Sequence, residues 1–309
     1  MEQNTVPVGR FAPTPSGRMH LGNVFAAMIA WLSVRSQGGR MVLRMEDLDI
    51  QRTSPEKAAL LRQDLAWLGL DWDLETPPQS ERTDIYREYF EKLKAMGLLY
   101  PCYCSRAQLH TVNAPHGSDG TYIYPGTCRD LTDAQRAAFD RCPAWRLCVP
   151  DREWTVWDRL QGIYTENLMT HCGDFVLRRS DGLFVYQLAV VIDDGLSGIT
   201  EVVRGCDLLS SVPRQMYLQE LLGFPHPAYG HVPLLVAPDG RRLSKRDRDM
   251  DLGYLQDHTS PETILGTLAH ACGLIEKPER VSARELVGEF DWNKLKGEPI
   301  CPDVSSLIE

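Results

Sequence analysis

The sequence lacks an apolar run long enough to span a bilayer. Its longest apolar stretch includes Phe25 to Leu32, far short of the roughly 20 residues that a membrane helix needs. The amino terminus has neither a basic segment nor an apolar core, so we expect no export signal and a cytoplasmic location. Internal repeats and low-complexity tracts are also missing. With 43% hydrophobic and 24% charged residues, we expect an ordinary soluble, globular chain.

An excess of positive charge is missing as well. The formal net charge of −9 argues against a protein that coats nucleic acid nonspecifically, but it allows a local basic face. The nine cysteines are an odd number, and those outside one cluster are scattered. This usage argues against a disulfide framework and favours a reducing compartment with one metal site. A length of 309 residues allows one large domain or two ordinary ones.

The most informative stretch is V-G-R-F-A-P-T-P-S-G-R-M-H-L-G-N, residues 8–23. It predicts a short strand, a loop stiffened by Pro13 and Pro15, and then the start of an apolar helix. The unpaired N–H groups and the positive dipole end of a helix N-terminus bind anions. His20 and Asn23 lie at this start and can donate hydrogen bonds to phosphate. The stretch predicts a phosphate site, although a plain strand–turn–helix connection would have the same pattern.

Strands and helices alternate through the first hundred residues. Arg40 to Met45 predicts a second strand, Ser54-Pro55-Glu56 a capped helix start, and Asp84 to Met96 a further helix. This alternation is typical of a parallel sheet covered by helices. Phe184 to Ile192 marks its resumption, and we interpret Asp193-Asp194-Gly195 as the end of a strand with a turn, without a functional role.

Between these regions the composition changes. Short β runs from Trp145 to Arg179 follow a cysteine-bearing loop and predict a smaller, mostly β insertion. A strand from His231 to Val236 precedes the charged loop Arg241 to Arg246, and the remaining residues have helical periodicity. We predict four segments: 1–99, the first half of a catalytic domain; 100–183, the insertion; 184–249, the second half with the charged loop; and 250–309, a short helical tail.

Two further patterns have chemical meaning. R-R-L-S-K-R, residues 241–246, is either a solvated hairpin or a loop that closes on a triphosphate, where Lys245 would stabilise departing pyrophosphate. The spacing of Cys102, Cys104 and Cys128 suits a tetrahedral zinc ion, with three free thiols as the alternative. General zinc chemistry favours a histidine as the fourth ligand, and the candidates are His110 and His116.

The motif P-x-P-S-G-x-x-H-L-G-N, paired with L-S-K-R, resembles the two ATP-binding motifs of class I aminoacyl-tRNA synthetases. Five stretches between about residues 8 and 250 resemble the glutamyl-tRNA synthetase group, in that group's order: R-F-A-P-T-P-S-G, R-M-E-D-L-D, L-F-V-Y-Q-L-A-V-V-I-D-D, T-E-V-V-R-G-C-D-L and R-L-S-K-R. The resemblance implies an α/β, Rossmann-type catalytic domain split by an inserted acceptor-type domain with a zinc ribbon. The short tail resembles the truncated branch, the glutamyl-queuosine tRNA(Asp) synthetases.

The resemblance also implies a reaction. That branch activates L-glutamate with ATP and Mg²⁺, without tRNA, and transfers it to the queuosine at the anticodon wobble position of tRNA(Asp). A short glutamyl-tRNA synthetase that charges the 3′ end of tRNA(Glu) is one alternative, and a catalytically silent tRNA-binding relative is another. We expect the enzyme to be a monomer.

A dicarboxylic amino acid needs two cations for its carboxylates and one anion for its ammonium group. We assign Arg10 and Arg204 to the carboxylates without deciding which binds which, Glu46 to the ammonium, and Tyr186 to substrate orientation. The alternatives are a surface ion pair between Arg44 and Glu46, and a core aromatic at position 186.

The resemblance extends these assignments to three sets of binding residues, one of which includes a catalytic pair. Glutamate binding is expected at Arg10, Phe11, Ala12, Pro13, Thr14, Glu46, Tyr186 and Arg204. ATP binding is expected at Pro13, His20, Gly22, Asn23, Leu243, Ser244 and Lys245, of which His20 and Lys245 are the catalytic pair. Structural zinc is expected at Cys102, Cys104, Tyr124 and Cys128, since the branch has a C-x-C…Y-x-x-x-C pattern with a tyrosine ligand. On this ground Tyr124 is preferred to His116.

Overall fold

Parallel strands form the centre of the molecule, as the alternating pattern predicted. The computed structural model describes residues 6–105, 108, 123–241, 243 and 251–307. Strand β1 (Val8–Phe11) pairs with β2 (Arg40–Leu43), and β2 pairs with the short β3 (Leu74–Glu75), all in parallel. Helix α1 (Leu21–Arg35) makes the crossover from β1 to β2. It is buried along most of its length, and this explains its nearly continuous apolar sequence.

Two helices follow the first strands. Helix α2 (Pro55–Trp67) begins at the predicted cap, where the Ser54 hydroxyl accepts a hydrogen bond from the Lys57 amide at 3.3 Å. Proline fits the next position, because the first turn has no use for its missing N–H. Helix α3 (Thr83–Ala95) buries Tyr86, Phe90 and Leu93 on one face. Both helices were predicted from sequence to within one or two residues.

Three antiparallel strands form a separate sheet in the order β4-β5-β8. They are β4 (Leu99–Cys102), β5 (Ala144–Leu147) and β8 (Phe175–Arg178). Two short helices lie between them in sequence, α4 (Asp133–Ala137) and α5 (Leu168–His171).

The hairpin of β6 (Glu153–Asp158) and β7 (Gly162–Asn167) belongs to another sheet, which also contains β9 (Glu201–Gly205) and β10 (Ala228–Val232). The order of its strands is β7-β6-β10-β9. It joins β10 through a parallel pair between Asp158 and Tyr229. The sequence placed these strands in the inserted segment, whereas the structure attaches them to strands of the second half of the chain. The division into four segments therefore stays a prediction.

Strands β9 (Glu201–Gly205) and β10 (Ala228–Val232) run parallel to each other. The Thr200 amide donates a hydrogen bond to the Val8 carbonyl at 2.9 Å, so β9 begins beside β1. The chain therefore extends the layer from β1 towards β2 on one side and from β9 towards β10 on the other. Ligands of open α/β sheets bind at the carboxyl ends of the strands, where the strand order changes direction.

The structure corrects two predictions in this region. Residues 186–196 form helix α6 (Tyr186–Leu196), so the strand and turn expected up to Gly195 are wrong. The helix is buried on all sides over Leu188 to Asp194, and a run without a polar face shows no period that distinguishes helix from strand. Strand β10 ends at Val232 and does not reach Val236, since Pro233 has no N–H to donate to a ladder.

The later helices complete the layers. Helix α7 (Val212–Leu222) follows β9. After the charged loop come α8 (Leu252–His258), α9 (Pro261–Cys272) and α10 (Ala283–Leu286), consistent with the predicted helical periodicity. The buried apolar residues of α8, α9 and α10 share one hydrophobic core with α1. In the part of the chain that the structure describes, no helix has the length and apolarity needed to cross a membrane.

Candidate active site

A cleft of about 490 Å³ lies at the carboxyl ends of β1, β9 and β10. The described residues that the sequence assigned to glutamate and ATP all line it: Arg10, Phe11, Ala12, Pro13, Thr14, His20, Gly22, Asn23, Glu46, Tyr186, Arg204 and Leu243. Ser244 and Lys245 lie outside the described residues. A cleft of about 530 Å³ near Trp67 and Ala283 contains none of the predicted site residues.

His20 caps helix α1 and forms one wall of the cleft. Its Nδ1 accepts a hydrogen bond from the Gly22 amide at 3.1 Å, and the Asn23 side chain accepts one from the His20 amide at 3.5 Å. Because Nδ1 is an acceptor, the neutral ring holds its proton on Nε2. The loop thus combines a helix N-terminus with an imidazole N–H donor, and both favour an anion.

Leu243, within the charged loop, and Asp251, which follows that loop, both lie at this wall. Leu243 lines the cleft, and its amide donates to the Leu235 carbonyl at 3.0 Å. Asp251 forms an isolated antiparallel bridge with His20, and the Leu252 amide donates to the Met19 carbonyl at 2.9 Å. The residues that follow the charged loop, Asp251 and Leu252, are therefore joined through the backbone to the loop around His20.

A second contact attaches α8 to the same wall. Arg18 donates to the Asp64 carboxylate at 2.8 Å and to the Gln256 side chain at 2.7 Å. Asp64 also accepts a hydrogen bond from the Met19 amide at 3.2 Å. The buried Asp64 carboxylate thus connects the loop that leads to His20 with α8, the helix that follows the charged loop.

Arg204 lies at the end of β9 with its guanidinium fixed on every nitrogen. It donates from Nε to His231 at 3.1 Å, from one terminal nitrogen to the Tyr186 hydroxyl at 3.1 Å, and from the other to Gln215 at 3.0 Å and the Leu208 carbonyl at 3.3 Å. All these partners are neutral oxygen or imidazole acceptors. Within the described ranges Arg204 forms no ion pair with a carboxylate, so its full charge is available to a ligand.

Arg10, at the end of β1, has a different environment. Its buried side chain donates to the Val203 carbonyl at 3.2 Å, and its Nε lies 3.8 Å from the Asp194 carboxylate. Burial lowers the pKa of Arg10, which the Asp194 charge opposes and the nearby Arg204 and Arg44 charges reinforce. A bound carboxylate would relieve this repulsion between like charges.

Arg44 is fully buried, and it is not part of a surface ion pair with Glu46. Its guanidinium lies 2.7 Å from Asp194, 3.1 Å from Glu46 and 3.8 Å from Asp193. Burial acts to lower the pKa of Arg44, but the three carboxylates outweigh it and raise that pKa. Burial also raises the pKa of Glu46, and Arg44 and Arg10 oppose this shift. The charges of Arg44 and Arg10 therefore favour the ionised form of Glu46, against the effect of burial.

Asp193 is the second buried carboxylate of α6. It accepts hydrogen bonds from Arg82 at 2.7 Å, Tyr86 at 2.8 Å and Gln79 at 2.8 Å. Sequence reasoning gave the two aspartates no role because it placed them in a turn. The available signal was that two carboxylates end an apolar run, since buried acids need cationic partners.

A group of thiols beside β4 could hold a metal ion. Cys104 Sγ lies 3.6 Å from Cys128 Sγ, and the Tyr124 hydroxyl lies 3.4 Å from Cys102 Sγ and 3.6 Å from Cys104 Sγ. Gly173 allows this arrangement, because a Cβ there would lie 2.3 Å from the Tyr124 carbonyl oxygen. The structure brings these four predicted ligands together. His110 and His116 lie outside the described residues.

Comparisons with known proteins agree with this geometry. The family model for tRNA synthetases class I (E and Q), catalytic domain, matches residues 6–301. The chain is 48% identical to a glutamyl-Q tRNA(Asp) synthetase of Symbiobacterium thermophilum and 44% identical to one of Nitratidesulfovibrio vulgaris, with 94% of each chain covered.

The chain is also similar to a solved glutamate tRNA ligase from Elizabethkingia meningosepticum, in complex with its amino acid. The TM-score is 0.84 at 28% identity, and the match covers 98% of this chain and 68% of that one. A glutamate-tRNA synthetase from Elizabethkingia anophelis gives a TM-score of 0.85 with 69% of its chain covered. From the cleft at the ends of the parallel strands, the His20 loop at its wall and these matches, we conclude that the chain belongs to the class I tRNA synthetase (E and Q) catalytic-domain family.

Proposed function

We propose that this chain activates L-glutamate with ATP and transfers the glutamyl group to the queuosine at the wobble position of tRNA(Asp). The observation that carries the proposal is the convergence of Arg10, Arg204 and Glu46 on one cleft with the loop around His20. Two cations and an anion complement a dicarboxylic amino acid, and the loop complements a polyphosphate. The relatives named Glutamyl-Q tRNA(Asp) synthetase, at 44% and 48% identity, support both the amino acid and the acceptor.

In this proposal Arg204 and Arg10 bind the two carboxylates of glutamate, and Glu46 binds its ammonium group. Arg204 suits a carboxylate because its described partners are all neutral. Glu46 suits a cation because burial raises the pKa of this carboxyl, and an ammonium group beside it would favour its ionised form. Phe11 to Thr14 also line the cleft, and they connect Arg10 to the loop that leads to His20.

Activation requires alignment and charge stabilisation more than proton transfer. An oxygen of the α-carboxylate attacks the α-phosphorus of ATP, the bond to the bridging oxygen breaks, and pyrophosphate leaves with the electron pair. His20 and the first turn of α1 would bind the polyphosphate, and Lys245 would stabilise the negative charge that develops on the leaving group. Mg²⁺ bound to the nucleotide would neutralise part of the same charge. A hydroxyl of the acceptor then attacks the glutamyl carbonyl carbon and releases AMP.

The three thiols of Cys102, Cys104 and Cys128 fit a structural zinc ion with Tyr124 as the fourth ligand. Zinc–sulfur bonds of about 2.3 Å and a zinc–oxygen bond of about 2.0 Å in a tetrahedron place two sulfurs roughly 3.8 Å apart and sulfur and oxygen roughly 3.5 Å apart. The corresponding separations here are 3.6 Å between Cys104 and Cys128, and 3.4 and 3.6 Å to the Tyr124 oxygen. With four protein ligands the ion would stabilise the loop and leave no position for a substrate.

The proposal is tested by two assays on the same preparation. Glutamate-dependent exchange of labelled pyrophosphate into ATP, measured without tRNA, tests activation. Transfer of labelled glutamate to tRNA(Asp) with and without queuosine, and to tRNA(Glu), tests the acceptor. Transfer that needs queuosine supports the proposal. Charging of tRNA(Glu) at its 3′ end would instead identify a short glutamyl-tRNA synthetase, and no exchange at all would identify a silent relative.

The role of Lys245 has its own test. Lys245→Ala should lower the exchange rate by about 10²–10³, the usual loss when one transition-state donor is removed. Lys277→Ala is the matched control, since this lysine is exposed and does not line the cleft. Equal exchange rates in the two variants would contradict the role.

A further inference from the structure

The partner of Arg204 on the neighbouring strand is a histidine. Arg204 and His231 are register partners in the parallel pair of β9 and β10, so their side chains lie side by side. The guanidinium Nε donates to His231 Nε2 at 3.1 Å. The imidazole is fully buried, and its other nitrogen lies 2.5 Å from the Asp158 carboxylate. An arginine, a histidine and an aspartate therefore form a continuous chain that runs from the cleft into the interior.

The hydrogen bonds among Arg204, His231 and Asp158 fix which imidazole nitrogen is protonated. Arginine has only donors, so His231 Nε2 must be an acceptor without a proton. The other oxygen of Asp158 accepts hydrogen bonds from three backbone amides, those of Leu160 at 3.0 Å, Gln161 at 2.9 Å and His231 at 3.1 Å. A carboxylate with so many donors is ionised, and it holds the single imidazole proton on Nδ1. The ring is thus neutral, in one defined tautomer.

This arrangement orients Arg204 without neutralising it. A carboxylate in direct contact would fix the guanidinium equally well, but it would also compensate the charge that a ligand needs, as Asp194 does for Arg44. Here the imidazole ring of His231 separates the Asp158 carboxylate from Arg204. The directions of the pKa shifts agree: burial lowers the pKa of His231, and hydrogen bonds to His231 and backbone amides outweigh burial to lower the pKa of Asp158.

We propose that His231, held in its Nδ1-protonated tautomer by Asp158, is a positioning residue that fixes Arg204 to receive a carboxylate of the amino-acid substrate. This inference rests on the proposed function, because it takes glutamate to be the ligand of Arg204. It predicts that changes at positions 231 and 158 affect the binding of glutamate and leave the binding of ATP nearly unaltered.

Two substitutions of His231 separate its two contacts. The amide of Asn reaches the position of Nδ1 and can still donate to Asp158, but it leaves Arg204 Nε without its acceptor. The longer Gln places an oxygen near the position of Nε2 and restores that acceptor. His231→Asn should raise the KM for glutamate by about ten- to hundredfold, the range for losing a hydrogen bond to a charged group. His231→Gln should recover most of this loss, with the KM for ATP similar in both.

Asp158→Asn tests the tautomer. The amide oxygen should stay with the three backbone donors, so the NH₂ group would face His231 Nδ1. The imidazole would then carry its proton on Nε2, and two N–H donors would face each other at Arg204. We expect the KM for glutamate to rise as in His231→Asn. His226→Asn, at a half-exposed histidine outside the cleft lining, is the matched control.

The measurements are pyrophosphate exchange at varied glutamate and ATP, together with the ¹⁵N resonances of His231 in the unmodified enzyme. A protonated Nδ1 and an unprotonated Nε2 at neutral pH support the inference, even if the variants fold poorly. A proton on Nε2, or the same glutamate KM in wild type, His231→Asn and Asp158→Asn, would overturn it. If the wild type shows no glutamate-dependent exchange, the proposed function fails, and the ¹⁵N resonances still decide whether the chain of hydrogen bonds exists.

Discussion

Asp194→Asn is the substitution that most directly tests the buried charge network beneath the cleft. The side chain keeps its shape, but the α6 carboxylate that lies 2.7 Å from Arg44 and 3.8 Å from Arg10 becomes neutral. Both arginines are buried. Because Arg10 and Arg44 are 5% and 0% exposed, water can compensate little of the lost negative charge.

The magnitude follows from what remains around Arg44. Removing one partner of a buried ion pair lowers the free energy of unfolding by about 3–5 kcal/mol. Here Glu46 and Asp193 still face the Arg44 guanidinium at 3.1 and 3.8 Å. We therefore expect the low end, a loss of about 3 kcal/mol in the free energy of unfolding. For a chain longer than 250 residues this corresponds to a Tm lower by roughly 6 °C.

Thermal unfolding followed by circular dichroism provides the assay. Asp181→Asn is the matched control. It removes the same charge from an ion pair with Arg179 at 2.6 Å, in which the side chains are 45% and 51% exposed, and an exposed pair contributes less than about 1 kcal/mol. A Tm for Asp194→Asn within about 1 °C of this control, which corresponds to well under 1 kcal/mol, would refute the reasoning.

Three further predictions follow from other parts of the chain. Cys128→Ser should abolish stoichiometric zinc and lower the Tm, whereas Cys142→Ser, at an exposed thiol, should do neither; equal zinc by mass spectrometry would contradict the site. Burial lowers the pKa of His231 from 6.5, so the folded state binds fewer protons. Its contribution to stability is complete above that value and is lost as the pH falls below it. Urea unfolding from about pH 8 to pH 5 should show a loss that His231→Asn reduces. Trp154→Ala should lower the free energy of unfolding by about 3–5 kcal/mol, whereas Trp157→Ala should hardly change it, because the first ring is 2% exposed and the second 75%. Similar losses for the two variants in urea unfolding would contradict the opposite orientations of these side chains on β6.

The sequence predicted elements whose signals are local. The Ser54 cap, followed by proline, marked the start of α2 because capping depends only on adjacent residues. The loop from Pro13 to His20 was legible for the same reason, since its prolines, glycines and histidine act on their own neighbours. These motifs also led to the residues that line one cleft, although the role of each side chain stays a prediction.

Features that depend on partners far along the chain could not be predicted from the sequence. Helix α6 has no side-chain cap and no polar face, so its β-branched residues suggested a strand. The buried role of Asp194 depends on Arg44, which is 150 positions away. The contact between Arg204 and His231 requires the register of β9 and β10, which neither strand specifies by itself.

The adjacency of β1 and β9 has a consequence for synthesis of the protein. Arg10 contacts the carbonyl of Val203, 193 residues later, so at about 5–20 residues per second the ribosome needs roughly 10–40 s to deliver the second strand. During that interval one edge of β1 has no neighbour, and an unpaired edge can recruit strands from other chains. We therefore expect nascent chains to depend on a chaperone that shields this edge until β9 has emerged.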